Sequence, residues 1–506
     1  MPGSPSSRPQ DPATRTLTGL ADQVGARVVG PAAGVGVTGL SLSTDRVIPG
    51  DLYAALAGTR AHGADFSEKA LDAGAVAVLT DEAGLASAAA TGLPVLVVAD
   101  PRSLLGRLAA IVYGTPAEGL TLIGVTGTQG KTTTTRLLEV GLEQAGIASA
   151  VVGTVGTRIA GTDVKTALTT PEAPDLHALF AVMREQQVRV AALEVSSHAL
   201  VLGRVDGVVF DVAAFLNLGR DHLDFHRDLE EYFAAKASLF TPERARLGLT
   251  NIDDEHGRRL LAEARIPMRT FSPSGATDAD WAALDLEHHP DSTDFTVRTP
   301  QGRTFGAHVP IPGDFNVANA LCAIALAGEA GLDAEAVAAG IASSGGVPGR
   351  LERIDEGQDF LAVVDYAHKP DALLAVLEAL RPQTRGRLIL VLGAGGDRDT
   401  GKRPLMGSIA AQHADVFVLT DDNPRSEDPE TIRAAVLGGA TGVGTSEVVE
   451  IGDRAAAIRH AIGLARAGDS VVVAGKGHET GQEVDGVITP FDDRDEVRSA
   501  LRELSR

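Results

Sequence analysis

The chain has 506 residues, 44% hydrophobic and 22% charged, which is enough apolar material for several cores at roughly 150 residues per domain. Its formal net charge of −22 argues against nucleic acid held through backbone phosphates, so a phosphorylated ligand must be met by glycine turns, helix ends and single basic residues. The lone cysteine, Cys322, excludes an intramolecular disulfide and a cysteine-built zinc site, and no apolar run approaches about 18 residues. A cytoplasmic protein without membrane insertion is the expectation.

Taken in order, Met1 to Arg15 is rich in Pro and Ser and reads as a disordered tail, 1–15. Residues 16–115 form a small α/β domain, with strands at Ala75 to Leu79 and Val95 to Val98 and a helix over Leu104 to Tyr113. Gly114-Thr115-Pro116 is a linker by composition. Residues 116–347 repeat strand, loop and helix. Strands are expected at Leu122 to Val125, Val188 to Val195, Val208 to Phe215 and Leu247 to Thr250, with helices at Asp175 to Gln186 and Leu229 to Leu239. That alternation implies a doubly wound parallel sheet with ligands at the strands' carboxyl ends. The helix Val317 to Ala330 leads to a second linker, Gly345 to Gly349. Residues 348–506 start over as a Rossmann-like α/β domain, with strands at Leu361 to Val364, Leu388 to Leu392, Val416 to Leu419 and Val471 to Ala474.

The stretch Gly124-Val125-Thr126-Gly127-Thr128-Gln129-Gly130-Lys131-Thr132-Thr133 stands between a strand and a helix over Thr132 to Ala145. This is the layout of a phosphate cradle. Backbone N–H groups and the positive helix end face an anion, Lys131 reaches terminal phosphates, and a threonine hydroxyl ligates Mg²⁺. The glycines depart from the strict G-x₄-G-K-[ST] spacing. The layout points to ATP or GTP.

Other strand ends carry polar clusters. Glu194 closes one strand before Val195-Ser196-Ser197-His198, where a carboxylate opposite a phosphate loop suits Mg²⁺. A Ser/His nucleophile is excluded by the missing G-x-S-x-G elbow, and adjacent Ser197 and His198 point to opposite sides of an extended chain. His222 and His226 are spaced i, i+4, so one helix face is open to both, or a solvated loop. Lys236 lies in the apolar segment Tyr232 to Phe240, where a lysine usually reaches for solvent. In the last region Gly393-Ala394-Gly395-Gly396-Asp397-Arg398 is not a dinucleotide fingerprint, because Arg398 replaces its last glycine. With Asp421-Asp422-Asn423-Pro424-Arg425 and Gly475-Lys476-Gly477-His478-Glu479 it offers guanidinium forks for carboxylates and a carboxylate for an ammonium, a set suited to a zwitterion.

In combination, GTQGKTT, LTTP, EVSSHAL, DHLDFH, YFAAKASLF, GDFNVANAL, PGRLE, VDYAHKPDAL, GGDRDTGKRP, DNPR and GKGHE make the chain resemble the Mur ligases of peptidoglycan synthesis, from about Leu40 to Asp493. The resemblance is to the branch that adds diaminopimelate. It implies an ATP-dependent acid–amino-acid ligase that extends UDP-N-acetylmuramoyl-L-alanyl-D-glutamate through an acyl phosphate, releasing ADP and phosphate. Cell-wall biogenesis, cell shape and cell division follow as roles, and a monomer is the expected state.

Carried over by motif, Gly127, Thr128, Gln129, Gly130, Lys131, Thr132 and Thr133 cradle ATP. Thr132 and Glu194 hold one Mg²⁺ and His222 a second. Lys236 matches the lysine that the family carbamylates with CO₂, turning an ammonium into an anionic metal ligand. Asn316 and Asn319 match adenine-side positions, and Arg350 and Asp365 approach the nucleotide. Leu42, Thr44, Thr169, Thr170, Ser196 and Arg204 match positions for the UDP-muramoyl dipeptide. Arg398, Asp422, Asn423, Pro424, Arg425, Gly475 and Glu479 match those for diaminopimelate. The chain departs from the common pattern at Gln129, at Ser43-Thr44-Asp45, at Lys369 and at Ala394. Two rivals are a folylpolyglutamate synthetase and a non-catalytic nucleotide-binding protein. The first does not explain DNPR with GKGHE, and the second predicts no dependence on Lys236 or an amine.

Overall fold

The computed structural model describes residues 7–115, 119–222 and 225–504. Contacts divide the described residues into two compact units. One is built from the described residues within 1–135, 145–270 and 326–332, the other from those within 136–144, 271–325 and 333–506. Pro116 of the first expected linker, and Leu223 and Asp224 of the DHLDFH stretch, lie outside the described residues.

The first unit holds two main sheets. In the N-terminal one, Arg27–Val29, Val95–Val97, Ala77–Thr80, Asp51–Ala54 and Gly39–Ser41 lie in that order, parallel except for the first pair. The helix Pro101–Tyr113 packs Leu105, Leu108 and Val112 into the same core as Leu40, Leu52 and Leu96. Its limits are set locally. The Asp100 carboxylate accepts from the N–H groups of Arg102 and Ser103, Pro101 opens the first turn, and Gly114 closes the helix in the left-handed region at φ 70°.

Residues 1–6 of the expected disordered tail lie outside the described residues. The expectation is corrected from Arg8 onward. Arg8 pairs with Asp51 at 3.1 Å and donates to the Tyr113 hydroxyl, and the N–H groups of Gln10 and Asp11 donate to Glu185. The reason is Asp51, whose side chain is fully buried. Burial raises its carboxyl above the usual range and Arg8 pulls it back down. A buried carboxylate demands a cation, and composition does not register one specific pair.

In the central sheet Thr162–Val164, Gly156–Ile159, Ser149–Gly153, Val190–Glu194, Thr121–Thr126, Phe210–Phe215 and Ala245–Asn251 follow one another. The last five are parallel, as the strand–helix alternation predicts, and their strands read as apolar runs because both faces are covered. The antiparallel hairpin at Gly156–Val164 was not foreseen. Helices Ala173–Glu185 and Leu229–Ala237 fall where expected. Register fixes the function-bearing edge. Val125 stands opposite Glu194 on one side and Ala214 on the other, so the loops after these three strands open together.

The second unit holds three antiparallel strands, Trp281–His288, Thr293–Arg298 and Thr304–Val309, which the alternation did not anticipate. Its parallel sheet runs Leu361–Asp365, Ser470–Ala474, Leu388–Leu392, Val416–Leu419 and Glu447–Glu450, with Glu352–Arg353 antiparallel at one edge. The last of these strands in the chain is therefore near the middle of the sheet. Asp365, Ala474 and Leu392 stand side by side, and the polar turns that follow them start from one edge. A hairpin, Gly481–Val484 with Val487–Pro490, follows. Cys322 is fully buried, and burial pushes its thiol up, as suits a core residue. Among the described residues no helix is long and apolar enough to cross a membrane.

His177 lies fully buried inside Ala173–Glu185, its Nε2 3.1 Å from the Asp206 carbonyl. Burial lowers its pKa from 6.5 to about 4. The unfolded chain then binds the proton first, so this contribution is present above pH 6.5 and is lost as pH falls toward 4. At pH 5 the loss is about 2 kcal/mol. Urea unfolding of the unit that holds His177 is expected to show this loss between pH 7.5 and 5, and His177→Gln, which keeps a donor for Asp206, is expected to flatten it. An equally steep variant would refute the assignment.

Candidate active site

The loop after Thr121–Thr126 is shaped by backbone contacts. A Cβ on Gly127 would lie 2.9 Å from the Leu216 Cβ, and Gly130 adopts φ 85°, so a side chain would clash at the first position and be strained at the second. Asn217 holds the loop. Its Oδ1 accepts from the N–H groups of Thr128 at 3.1 Å and Gln129 at 3.0 Å, and its Nδ2 donates to the Gln129 carbonyl. The Thr128 hydroxyl accepts from the Gly219 N–H at 2.9 Å and lies 3.2 Å from the Tyr232 hydroxyl. Thr132 and Thr133 are buried in the first turn of the helix Lys131–Gln144.

Two lysines converge here. Lys131 Nζ donates to the carbonyls of Gly127 at 2.7 Å and Thr128 at 3.1 Å. Lys236 Nζ donates to the same Gly127 carbonyl at 2.8 Å and lies 4.5 Å from the centre of the Tyr232 ring. Lys236 is 1% exposed, so the usual reach of a helix lysine toward solvent does not apply. Burial against Tyr232 turns it inward to the loop.

Glu194, 1% exposed, closes its strand beside them. Its Oε2 accepts from the hydroxyls of Thr132 and Thr154, each at 3.0 Å, and its Oε1 from the Thr154 N–H at 2.8 Å. Gly153 is required here, since a Cβ would stand 2.2 Å from Oε1. Thr169 Oγ1 lies 3.1 Å from Thr154 Oγ1. Among the described residues no three His, Cys, Asp or Glu side chains gather as a metal cluster. A carboxylate with hydroxyl oxygens nonetheless fits Mg²⁺, a hard cation that keeps waters and shares phosphate oxygens.

Thr170 Oγ1 donates to the Glu194 carbonyl at 2.7 Å and accepts from the Ser196 N–H. Ser196 caps the helix Ser197–Val201 by accepting from Ala199. This corrects the reading of Ser197 and His198 as extended chain, because the cap starts a helix at once. Ser197 Oγ lies 2.9 Å from Nε2 of buried His226. Arg204 Nε donates to Glu172 at 2.9 Å and its Nη1 to the Thr170 carbonyl at 3.4 Å. His222 and His226 do not share a helix face. His222 is left-handed at φ 54°, which breaks any helix there. Its ring lies beside Asp221 and 4.8 Å from His198, which stacks on Phe225. Leu42 packs on the N-terminal core, and Thr44 opens the turn Thr44–Arg46, which Arg46 ties to Asp175 at 2.8 Å.

Asn316, Asn319, Arg350 and Asp365 belong to the second unit. Asn316 and Asn319 are buried, with Nδ2 of Asn316 donating to the Pro312 carbonyl and Nδ2 of Asn319 to Asn316. The Arg350 guanidinium lies 4.9 Å over Tyr366. Asp365 accepts from the N–H groups of Leu351 and Ala367, and burial raises its carboxyl. Burial and the nearby Lys369 and Lys402 lower His368 to about 3, so it is neutral at pH 7.

The three polar turns of the second unit do meet. Arg425, left-handed at φ 53°, donates from Nη1 to the Gly396 carbonyl at 2.7 Å, with its Nε 3.5 Å from Glu483. Asn423 Nδ2 donates to Glu479 Oε2 at 2.9 Å. Asp422 is buried, its Oδ2 2.6 Å from where a Cβ on Gly475 would stand, and Pro424 packs its carbonyl against Gly396. Arg398 is exposed on its turn. Sequence reading passed over Thr154, Asn217, Tyr232, Lys476 and Glu483. Of these, Thr154, Asn217 and Lys476 carried a signal, as polar residues just past strand ends.

Three family profiles match the chain: Mur ligase family, catalytic domain, over residues 34–113; Mur ligase middle domain, over 125–327; and Mur ligase, glutamate ligase domain, over 349–477. The UDP-N-acetylmuramoyl-L-alanyl-D-glutamate–2,6-diaminopimelate ligase of Streptomyces coelicolor is 54% identical over 504 residues, 99% of each chain. The UDP-N-acetylmuramyl-tripeptide synthetase of Leifsonia xyli is 46% identical, again over 99% of each. A solved structure of a UDP-N-acetylmuramoyl-L-alanyl-D-glutamate–2,6-diaminopimelate ligase superposes with a TM-score of 0.69 at 34% identity, covering 98% of this chain and 100% of that one. With a lysine-bearing phosphate loop, a buried oxygen-donor site beside it and this likeness from end to end, the chain belongs to the Mur ligase family.

Proposed function

We propose that the chain is a cytoplasmic, monomeric, ATP-dependent ligase that joins diaminopimelate to UDP-N-acetylmuramoyl-L-alanyl-D-glutamate in peptidoglycan precursor synthesis. The observation that carries this reading is the 54% identity, over nearly the whole of both chains, to a relative named for that reaction. Arg425 supports the choice of amino acid, because a distal carboxylate is what distinguishes diaminopimelate from lysine and a guanidinium is its natural partner.

The chemistry is the one that the family resemblance implies. The free glutamyl carboxylate takes the γ-phosphoryl group of ATP, forming an acyl phosphate and ADP. A diaminopimelate amine then attacks the acyl carbon, phosphate leaves and the amine loses a proton. Lys131 and the start of the helix steady the phosphates, and Asn217, which takes the N–H groups of Thr128 and Gln129, fixes the shape of the loop. Thr132 and Glu194 would hold Mg²⁺, with His222 as the ligand of a second ion, and Mg²⁺ supplies charge neutralisation for the phosphates. Lys236 adds CO₂ as its neutral amine, releasing a proton and leaving an anionic carbamate beside the loop. Thr169, Thr170, Ser196 and Arg204 orient the muramoyl dipeptide, with Leu42 and Thr44 on the uridine side. Asn316, Asn319, Arg350 and Asp365 serve the nucleotide, and Arg398, Asp422 to Arg425, Gly475 and Glu479 the amino acid. The division at residues 116 and 348 is part of the same reading.

Phosphate release from ATP is expected only with both the UDP-muramoyl dipeptide and diaminopimelate present, and amine-independent release would sink the ligase reading. In Arg425→Ala, the preference for diaminopimelate over L-lysine is expected to fall by roughly tenfold to a hundredfold, from the loss of about 1.5–3 kcal/mol of charged hydrogen bonding. An unchanged ratio of kcat/KM values would remove Arg425 from specificity. Lys236→Ala is expected to lose most activity and regain part with a short-chain carboxylic acid in the buffer. Full activity in the alanine variant would rule the carbamate out.

A further inference from the structure

Lys476 has no place in the mechanism above, yet its side chain is fully buried at the centre of the amino-acid set. Its Nζ donates to Asn423 Oδ1 at 3.0 Å and to Glu479 Oε2 at 3.1 Å. The Glu483 N–H donates to the same Asn423 Oδ1 at 3.0 Å, from the hairpin strand Gly481–Val484. With two donors on Oδ1, the Asn423 amide has one orientation, and its Nδ2 must face Glu479. These two bonds fall on Oε2, Tyr366 also hydrogen-bonds the Glu479 side chain, and that side chain keeps 32% exposure.

We propose that Lys476 is a positioning residue for the amino-acid substrate: its buried ammonium locks the Asn423 amide and the Glu479 carboxylate in the arrangement that receives the substrate's ammonium group. Lys476 itself does not touch the substrate. The physical argument is one of alternatives. Without the ammonium, the Asn423 amide is less constrained to aim its Nδ2 at Glu479, and Glu479 is left with the neutral Asn423 and Tyr366 donors. A carboxylate already oriented binds an ammonium without paying for its own ordering. The cost of Lys476's absence therefore appears in substrate binding, not in the phosphoryl step. This inference rests on the ligase reading, because it needs an amino-acid substrate in this set.

The test uses the full chain with saturating ATP, Mg²⁺ and UDP-muramoyl dipeptide, varying diaminopimelate. Lys476→Met is expected to raise KM for diaminopimelate by about tenfold or more, a larger factor than any fall in kcat, with KM for ATP and for the dipeptide within about twofold. Lys476→Gln, which keeps a donor for Asn423, is expected to fall between, and it carries the test if the methionine variant fails to fold. Glu479→Gln is expected to raise the same KM, and adding Lys476→Met to it is expected to raise it by less than the product of the two single effects, since both act in part on one carboxylate. An unchanged KM for diaminopimelate in both Lys476 variants overturns the inference. So do effects that multiply in the double variant. Failure of the wild-type chain to release phosphate with diaminopimelate overturns the ligase reading instead.

Discussion

A carboxylate buried to 1% exposure must find donors, and the carboxyl edge of the central sheet is arranged around that requirement at Glu194. The donors come from separate stretches: Thr132 from the helix after the phosphate loop, Thr154 from the turn beyond Gly153. Thr170 ties the LTTP stretch to the carbonyl of the same residue. One strand end thus fixes the helix start, a turn and the loop assigned to the dipeptide. Gly153 is part of the price, since any side chain there would meet the carboxylate. A cation that displaced these hydroxyl donors would find oxygen ligands already converged, with no side chain to carry in from a distance.

The second unit solves a related problem with the opposite charge. Arg454 and Lys476 are both buried at the carboxyl edge of its sheet, and each is matched by an acid. Arg454 is held by two bonds to Asp493, each 2.7 Å, and donates to the carbonyls of Ala474 and Asp421. Buried pairs of this kind add little net stability, because desolvation offsets the attraction. They do fix geometry. Asp421 and Ala474 begin the two turns that carry Asn423 and Glu479, so a rigid cation beneath them holds the turns at one spacing. The left-handed Arg425 is sustained in the same way, by bonds of its backbone to Glu483 and Asp485 in the hairpin.

The parallel strands were legible because burial on both faces writes a continuous apolar run. Val190–Glu194, Phe210–Phe215, Leu388–Leu392 and Ser470–Ala474 all lie within a residue or two of their expected limits. The Trp281–Val309 strands were not, since half of each faces outward and mixes polar with apolar residues. Motif residues were legible as types at strand ends. Their bonds were not, because Asn217 meets Gln129 and Lys236 meets Gly127 only once separate strands are in register. His226 shows the limit in the other direction. It shared a motif with His222, yet its ring is buried against Ser197 and stabilises the loop from below.

An overall charge of −22 and a site for polyphosphates look incompatible until the cations are located. Many surface arginines are answered within a few ångströms by acids, as Arg259 is by Glu230 and Glu263, and such exposed pairs project little field beyond a Debye length. Lys131 instead rests on the carbonyls of Gly127 and Thr128 beside buried threonines, where the effective dielectric is lower and screening is weak. The same charge placed on the open surface would attract any polyanion feebly and none in register. Held within the loop, it favours an anion small enough to enter, while net negative charge disfavours extended polyanions. The net charge therefore sharpens the choice of ligand that Lys131 begins.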